Sequence, residues 1–172
     1  MPGAELGRRV SAVLGEPRAV ILVDGRSGSG KSTLARRLVD EHPSLQLVRL
    51  DDLYPGWDGL AAGSRHVVDY VLDPVRPRWL EWDWAAGAPT RWHELSADAP
   101  LLVEGVGAIS RASRARASLA IWVDTDDDVR RRRALDRDGA AYEPHWERWA
   151  AQEAAFLERE HPRKLADVVI AE

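Results

Sequence analysis

The sequence predicts an α/β fold in which a parallel sheet of five strands carries helices on both of its faces. Two observations lead to this fold class: short apolar runs alternate with helical patterns along the chain, and each run is apolar at successive positions. Strands that are buried on both faces have this composition, because helices cover both sides of a parallel sheet. A chain of 172 residues also has the size of one domain with a sizeable core. We therefore expect a single domain over residues 1–172.

The first part of the chain is predicted to form helix, strand, helix and strand in turn. Apolar residues recur at helical spacing over residues 4–14, which predicts an amphipathic helix. The apolar run 19–24 predicts a buried strand. The helical pattern of residues 31–42 ends before Pro43, because proline cannot continue a helix. Residues 45–50 form a second apolar run, which predicts a second strand.

The middle of the chain is predicted to be a loop followed by a helix. Polar residues and glycines fill residues 51–65, which favours a loop with room for one helical turn. Asp73 followed by Pro74 is typical of a helix cap and a first-turn proline, so we expect a helix from there to Gly87. Pro77 lies within this segment and leaves the start of the helix open.

The last part of the chain again alternates strands and helices. Apolar runs predict the strands, and capping residues and prolines bound the helices. In order, the elements are strands at 101–103 and 119–123, a helix from Thr125 or Asp126 to about Leu135, an irregular stretch at 136–142, a helix from about 144 to 160, and a strand at 168–170.

One segment fits the phosphate-binding pattern G-x-x-x-x-G-K-[ST] at every fixed position; we call residues 25–32 the P-loop. It lies between a predicted strand and a predicted helix, which is the context that the pattern requires. Lys31 is expected to reach the β- and γ-phosphates, and the Ser32 hydroxyl to bind Mg²⁺. The residues expected to hold the nucleotide are Gly25, Ser27, Gly28, Ser29, Gly30, Lys31, Ser32 and Thr33.

Acidic residues follow two other predicted strands. Asp51 and Asp52 come after the strand at 45–50, and Glu104 comes after the strand at 101–103. The carboxyl ends of parallel strands meet at one edge of the sheet, where such folds bind their ligands. One aspartate could accept a proton from an acceptor hydroxyl during phosphoryl transfer, or both could cap a turn or hold Mg²⁺ through water. Glu104 is placed to bind the metal, with a turn residue as the alternative.

A run of arginines at 130–133, with Arg137 after it, supplies positive charge next to this edge. Successive helical residues point in different directions, so one or two of them can face the site. We expect a lid around residues 130–145 whose arginines close over the phosphates and exclude water. A nucleic-acid patch is disfavoured, because the flanking acidic residues cancel much of the charge.

Composition excludes several functional classes. The net charge of −4 gives no reason to expect nucleic acid or an anionic membrane as a partner, and no apolar run approaches the ~20 residues of a membrane span. The absence of cysteine excludes a thiol nucleophile and disulfides. We expect a cytoplasmic monomer or homodimer whose partner is a small molecule. The eight tryptophans could fill the core or line a substrate pocket.

Four segments together resemble the uridine kinase branch of the P-loop kinases: 23–33, 50–54, 103–105 and 123–133. They occur in order within residues 19–137, most of the chain. The resemblance implies a three-layer P-loop NTPase fold of the nucleoside-monophosphate-kinase type, ATP·Mg²⁺ as donor and a small-molecule hydroxyl as acceptor. By position it assigns the base to Asp51 or Asp52, with Asp52 preferred, Tyr54 to a substrate contact, Glu104 to the metal, and Arg133 and Arg137 to the lid as catalytic cations. Together with the P-loop pattern and the acidic residues after the strands, the metal residues are expected to be Ser32, Asp51 and Glu104, and Lys31 is a further catalytic cation.

The resemblance is incomplete in the region expected to bind the acceptor, residues 51–95. Uridine kinases carry a Tyr-Asp-aromatic segment followed by His and Arg, which help to hold the nucleoside. Residues 82–84 resemble its beginning, but residues 85–90 replace the rest, and Arg91 and His93 are displaced. The residues expected to contact the substrate are Asp52, Tyr54, Trp82, Asp83 and Arg91, with Trp57, Trp84 or Trp92 as further candidates for the pocket wall.

The identity of the acceptor therefore stays open. The resemblance favours a nucleoside, and a non-nucleoside hydroxyl compound such as a sugar acid, a vitamin precursor or an antibiotic is the alternative. A nucleotide acceptor would need several arginines for its phosphate. From another class, a regulatory P-loop NTPase is the second hypothesis, although the Asn-Lys-x-Asp element of GTPase switches and the Leu-Ser-Gly-Gly-Gln element of transporter ATPases are absent.

Overall fold

The computed structural model describes residues 3–171, without the side chains of residues 3, 4, 137, 138, 140 and 141. Its strands are β1 (Val20–Asp24), β2 (Gln46–Arg49), β3 (Arg78–Asp83), β4 (Ala88–Glu94), β5 (Leu101–Glu104), β6 (Leu119–Asp124) and β7 (Val168–Ala171). Five of them form one parallel sheet in the order β2-β5-β1-β6-β7. The predicted five-stranded parallel sheet is confirmed.

Helices lie on both faces of this sheet. They are α1 (Gly3–Val13), α2 (Lys31–Glu41), α3 (Leu60–His66), α4 (Arg111–Arg114), α5 (Asp127–Tyr142), α6 (Trp146–Glu160) and α7 (Pro162–Leu165). Side chains alternate along β1: Val20 and Leu22 pack in a cluster with residues of α3 and α6, whereas Ile21 and Val23 pack with residues of α1 and α2. The chain therefore has three layers, as its apolar strands predict. None of the helices between residues 3 and 171 is long and apolar enough to cross a membrane.

The prediction of a helix from Asp73 to Gly87 is wrong, because β3 and β4 form an antiparallel hairpin in this part of the chain. The Asp73 carboxylate accepts hydrogen bonds from the N–H groups of residues 75 and 76, which makes a turn of the segment that resembled a helix cap. Pro77 disfavours helical backbone at the residue before it. Gly87, at φ +63°, completes the hairpin turn in the left-handed region that favours glycine.

The structure also differs from the predicted elements in several short helical turns and in the length of α5. A short 3₁₀ turn at Leu50–Asp52 follows β2, and α3 continues as a π-helical turn at Val67–Val71. Helix α5 extends through the stretch predicted to be irregular, with a break in helical geometry at Gly139 (φ 53°, ψ −137°). A second 3₁₀ turn at Glu143–His145 leads into α6.

The register of the parallel sheet brings the ends of its strands together. Val23 pairs with Glu104, and Glu104 pairs with Arg49, so the carboxyl ends of β1, β2 and β5 lie side by side. Asp24 pairs with Trp122 of β6. The P-loop, the 3₁₀ turn after β2, the turn after β5 and the start of α5 therefore meet at one edge.

Candidate active site

The P-loop connects β1 to α2 and packs tightly against the start of α5. Gly28 (φ +80°) and Gly30 (φ +97°) occupy the left-handed region that favours glycine. A Cβ on Gly28 would lie 1.9 Å from the carbonyl oxygen of Arg130, so a larger residue does not fit there. Lys31, the first residue of α2, is only 6% exposed. A close-wrapped glycine loop at a helix N-terminus is the arrangement that binds phosphate.

A buried carboxylate lies beside the first turn of α2. Glu104 ends β5 and is 2% exposed. Its Oε2 accepts a hydrogen bond from Ser32 Oγ at 3.3 Å, and its Oε1 accepts one from Arg49 Nε at 3.3 Å. The guanidinium of Arg49 also lies 3.8 Å from the Asp51 carboxylate and 3.9 Å from that of Asp52. Arg49 therefore links the three acidic side chains at this edge.

Ser32 and Glu104 fit a magnesium ion that arrives with a nucleotide. Mg²⁺ prefers hard oxygen ligands and is usually held by one or two carboxylates together with substrate phosphates. A hydroxyl hydrogen-bonded to a buried carboxylate supplies such ligands. Within the described part of the chain, no group of three or more acidic or histidine side chains could hold a metal ion by itself. The donors therefore suit a nucleotide-dependent site rather than an independent metal centre.

Helix α6 contributes a buried carboxylate, Glu153, that accepts hydrogen bonds from the P-loop. It is 1% exposed, and its Oε1 accepts hydrogen bonds from the backbone N–H of Ser27 at 2.8 Å and from the Ser27 hydroxyl at 2.6 Å. Its Oε2 accepts a hydrogen bond from Arg26 Nε at 3.2 Å and lies 3.7 Å from Arg130 Nη1. Asp127 pairs with the same two arginines. Glu153 thus connects the P-loop to both α5 and α6.

Asp24, the last residue of β1, is buried directly before the P-loop. It is 1% exposed, and its carboxylate accepts hydrogen bonds from the N–H groups of Gly25, Gly107 and Ile109. Burial raises the pKa of Asp24 to about 7, although these hydrogen bonds and the charge of Lys31 act in the opposite direction. Asp24 therefore ties the P-loop to the turn after β5.

A cavity of about 330 Å³ opens beside the P-loop. Its wall consists of Ser27, Asp51, Tyr54, Trp57, Trp84, Val106, Tyr142 and Trp149. The aromatic rings contact one another: Trp57 stacks on Tyr142 with ring centroids 5.5 Å apart, and Tyr54 meets Trp149 edge to face at 4.8 Å. The wall thus combines a residue of the P-loop and an acidic residue with five aromatic side chains and Val106. We refer to this cavity as the aromatic cavity.

Residues 21–155 match the family model described as AAA domain, which covers most of the chain. The chain belongs to the AAA domain family. This AAA domain is 26% identical over 141 residues to the uridine kinase of Lactiplantibacillus plantarum, an alignment that covers 69% of the chain and 67% of that protein. The sequence relatives support a P-loop kinase, and the resemblance to the uridine kinase branch is confirmed.

Two solved structures have the same fold as the AAA domain. A possible uridine kinase from Bacillus stearothermophilus matches with a TM-score of 0.60 at 21% identity, covering 96% of this chain and 99% of that one. A proposed fructose transport system kinase from Silicibacter sp. TM1040 matches with a TM-score of 0.60 at 17% identity, covering 98% of both chains. At these identities the likeness shows the fold, and the P-loop kinase fold predicted from the sequence is confirmed.

The structure separates the two aspartates that follow β2. Asp51 lines the aromatic cavity of the AAA domain, whereas Asp52 is not among the wall residues. Arg49 lies at about the same distance from both carboxylates, 3.8 Å from Asp51 and 3.9 Å from Asp52, and two hairpin residues act on the pKa of Asp52: Glu81 raises it and His93 lowers it. Burial raises the pKa of Asp52, with the neighbouring charge of Asp51 adding to the effect and Arg49 opposing it. The structure thus brings Asp51, and not Asp52, to the wall of the aromatic cavity, and which of the two aspartates is the base stays a prediction.

Of the other predicted substrate contacts, Tyr54 lies in the cavity wall and three lie elsewhere. The Tyr54 hydroxyl donates a hydrogen bond to the carbonyl oxygen of Val106 at 2.6 Å. Trp82 lines a separate, smaller cavity of about 180 Å³ between the hairpin and α3. Asp83 accepts hydrogen bonds from two N–H groups of the hairpin turn, and Arg91 pairs with Glu81 at 3.2 Å. The hairpin thus places these three side chains outside the aromatic cavity.

The arginines of α5 also differ in whether the structure brings them to the P-loop. Arg130 is 4% exposed and lies against the P-loop, whereas Arg133 is exposed. The Arg130 Nη1 atom is buried without a hydrogen-bond partner among the described residues. The side chain of Arg137 lies outside the described residues. Arg130 is therefore the arginine of the run that the structure brings to the phosphate-binding element.

Sequence reasoning missed Arg49 and Glu153. Arg49 looked like a polar residue within a predicted strand, and nothing local marks its three acidic partners. Glu153 could have been found, because it interrupts the apolar face of α6 formed by Trp149 and Phe156 at helical spacing. A carboxylate on the buried face of an amphipathic helix needs a polar partner.

Proposed function

We propose that this AAA domain is an ATP·Mg²⁺-dependent kinase that transfers the γ-phosphoryl group to a hydroxyl of a small molecule. The observation that carries the proposal is that the P-loop residue Ser27 and the acidic residue Asp51 both line the aromatic cavity. Phosphoryl transfer needs a nucleotide held beside an acceptor pocket and a group that takes the acceptor proton. The sequence relatives support the same general activity.

The side chains can be given roles in this reaction. Lys31 and the P-loop N–H groups bind the phosphates, and Ser32 and Glu104 are the residues that would hold Mg²⁺, which neutralises phosphate charge when bound. Asp51 accepts the proton of the acceptor hydroxyl. The hydroxyl oxygen forms a bond to the γ-phosphorus, the bond from that phosphorus to the β–γ bridging oxygen breaks, and ADP leaves with the electron pair. Arg130, Arg133 and Arg137 belong to the proposed lid around residues 130–145.

A nucleoside is the first acceptor to test, because the relatives include uridine kinases. The second candidate is a non-nucleoside hydroxyl compound. The position of Trp82, Asp83 and Arg91 outside the aromatic cavity favours it, since these residues correspond to the segment expected to hold a nucleoside.

The decisive experiment measures ADP release from ATP·Mg²⁺ with and without a panel of nucleosides, sugars and vitamin precursors. A kinase releases ADP faster when its acceptor is added and forms one phosphate ester per ADP. Lys31→Ala should lower this rate about 100- to 1000-fold, because it removes a preorganised charge from the transferred group. Lys164→Ala, which changes an exposed lysine of α7, is the matched control and should leave the rate unchanged. Hydrolysis that no acceptor accelerates would assign the protein to the regulatory NTPases instead.

A further inference from the structure

We propose that the acceptor is an uncharged compound built on a single flat aromatic ring, with one hydroxymethyl group directed at Asp51. The proposal rests on the proposed function and names the class of acceptor that the same cavity selects. It also predicts that ribonucleosides, sugar acids and nucleotides are poor acceptors.

The shape of the aromatic cavity favours a flat ring. Trp57 is the centre of its wall, with its ring 4.9 Å from that of Trp84 and 5.5 Å from that of Tyr142. His145 stacks on Trp57 at 4.3 Å with an angle of 12° between the rings, and so fixes the plane of the indole. Stacking on a fixed aromatic plane stabilises a planar ligand.

Three polar side chains of the wall, those of Tyr54, Trp84 and Ser27, already donate hydrogen bonds within the protein. The Tyr54 hydroxyl donates to the Val106 carbonyl, and the Trp84 indole N–H donates to the Asp51 carbonyl at 2.8 Å. The hydroxyl and the N–H of Ser27 both donate to Glu153. A nucleoside would bring a ribose diol and the polar edge of its base, and these groups would lose their hydrogen bonds to water without replacement by the engaged donors. An aromatic alcohol has one such group.

The acidic side chain in the cavity wall disfavours acceptors that carry a carboxylate or a phosphate. Asp51 is the one charged side chain among the described residues that line it. The nearby Arg49 is shared among Asp51, Asp52 and Glu104, and Arg148 is paired with Asp58. A carboxylate or phosphate on the acceptor would therefore enter beside a like charge, and none of the described residues of the cavity wall is a cation that could pair with it. This argues against sugar acids and nucleoside monophosphates.

The experiment compares three sets of acceptors at equal concentrations with ATP·Mg²⁺. They are hydroxymethyl-substituted benzenes, pyridines and pyrimidines, then uridine and cytidine, and then gluconate, shikimate and uridine monophosphate. ADP release and the phosphate ester, detected by phosphorus NMR, are measured together. We expect kcat/KM for the best ring alcohol to exceed that for the nucleosides and acids at least tenfold. A nucleoside or an acid as the best acceptor overturns this inference and leaves the kinase standing, whereas no acceptor either in these sets or in the panel of sugars and vitamin precursors described above overturns both.

A series of variants tests whether stacking on Trp57 contributes to acceptor binding. Trp57→Leu should raise the acceptor KM about three- to tenfold, the magnitude of one aromatic pair, and leave the ATP KM unchanged. Trp57→Phe should recover part of the loss. Trp92→Leu is the matched control, because this tryptophan lies 39% exposed on the hairpin and outside the cavity. An acceptor KM that is the same in Trp57→Leu and in the control overturns the stacking mechanism.

Discussion

At the scale of single residues, the two adjacent aspartates after β2 have different surroundings and should have different functions. Asp51 lies in the wall of the aromatic cavity and Asp52 does not, although Arg49 lies at about the same distance from both carboxylates. Asp51→Asn should lower kcat about 100- to 10,000-fold, because a general base contributes on that order, while ATP·Mg²⁺ binding stays nearly intact. Asp52→Asn should change kcat less than about tenfold, since it removes a charge without removing the proton acceptor.

The two variants control each other, because both remove one carboxylate charge from the same turn. Single-turnover kinetics and ATP titration by calorimetry separate the chemical step from nucleotide binding. If Asp52→Asn were the more damaging substitution in the chemical step, the base would be Asp52, as the sequence resemblance implied. Equal loss of binding and transfer in Asp51→Asn would show that this carboxylate acts through the metal.

At the scale of elements, α6 determines the shape of the P-loop through Glu153. Glu153→Gln keeps an acceptor for Ser27 but removes the charge facing Arg26 and Arg130, whereas Glu153→Ala removes both. Breaking a buried charge pair costs about 3–5 kcal/mol, so the alanine variant should lose that much free energy of unfolding. We expect its ATP KM to rise at least tenfold, and that of the glutamine variant to rise less.

Glu158→Ala is the matched control, because Glu158 is exposed on the same helix. Urea unfolding gives the stability of all three variants, and steady-state kinetics below their unfolding midpoints gives the ATP KM. A Glu153→Ala protein that is destabilised but keeps the wild-type ATP KM would show that α6 supports the fold without shaping the loop.

The same scale shows which elements the sequence could predict. The P-loop and the parallel strands depend on local signals, namely a fixed glycine pattern and apolar runs. The hairpin was missed because Asp73 and Pro74 satisfy a helix cap and a tight turn equally well, and only pairing between β3 and β4 decides between them. Glu153 contacts Ser27 across 126 positions of sequence, a distance at which no local pattern carries information.

At the scale of the whole molecule, Asp24 should make stability depend on pH. Its carboxylate joins β1, the P-loop and the turn after β5, and burial raises its pKa from 3.8 to about 7. Between about pH 4 and pH 7 the native state therefore binds a proton that the unfolded state has lost. The contribution of Asp24 to the free energy of unfolding is fully present below about pH 4, falls as the pH rises, and is lost above about pH 7.

Asp24→Asn isolates this contribution, because the asparagine is neutral at every pH and all other titrating groups are shared with the wild type. The free energy of unfolding of the wild type minus that of the variant should decrease between pH 4 and pH 7, by at most about 1.4 kcal/mol per pH unit, and then level off. Urea titrations at half-unit pH intervals measure this difference. A difference that stays constant or rises with pH would mean that the three N–H donors and Lys31 keep the buried carboxylate charged, so that hydrogen bonding outweighs desolvation at the centre of the fold.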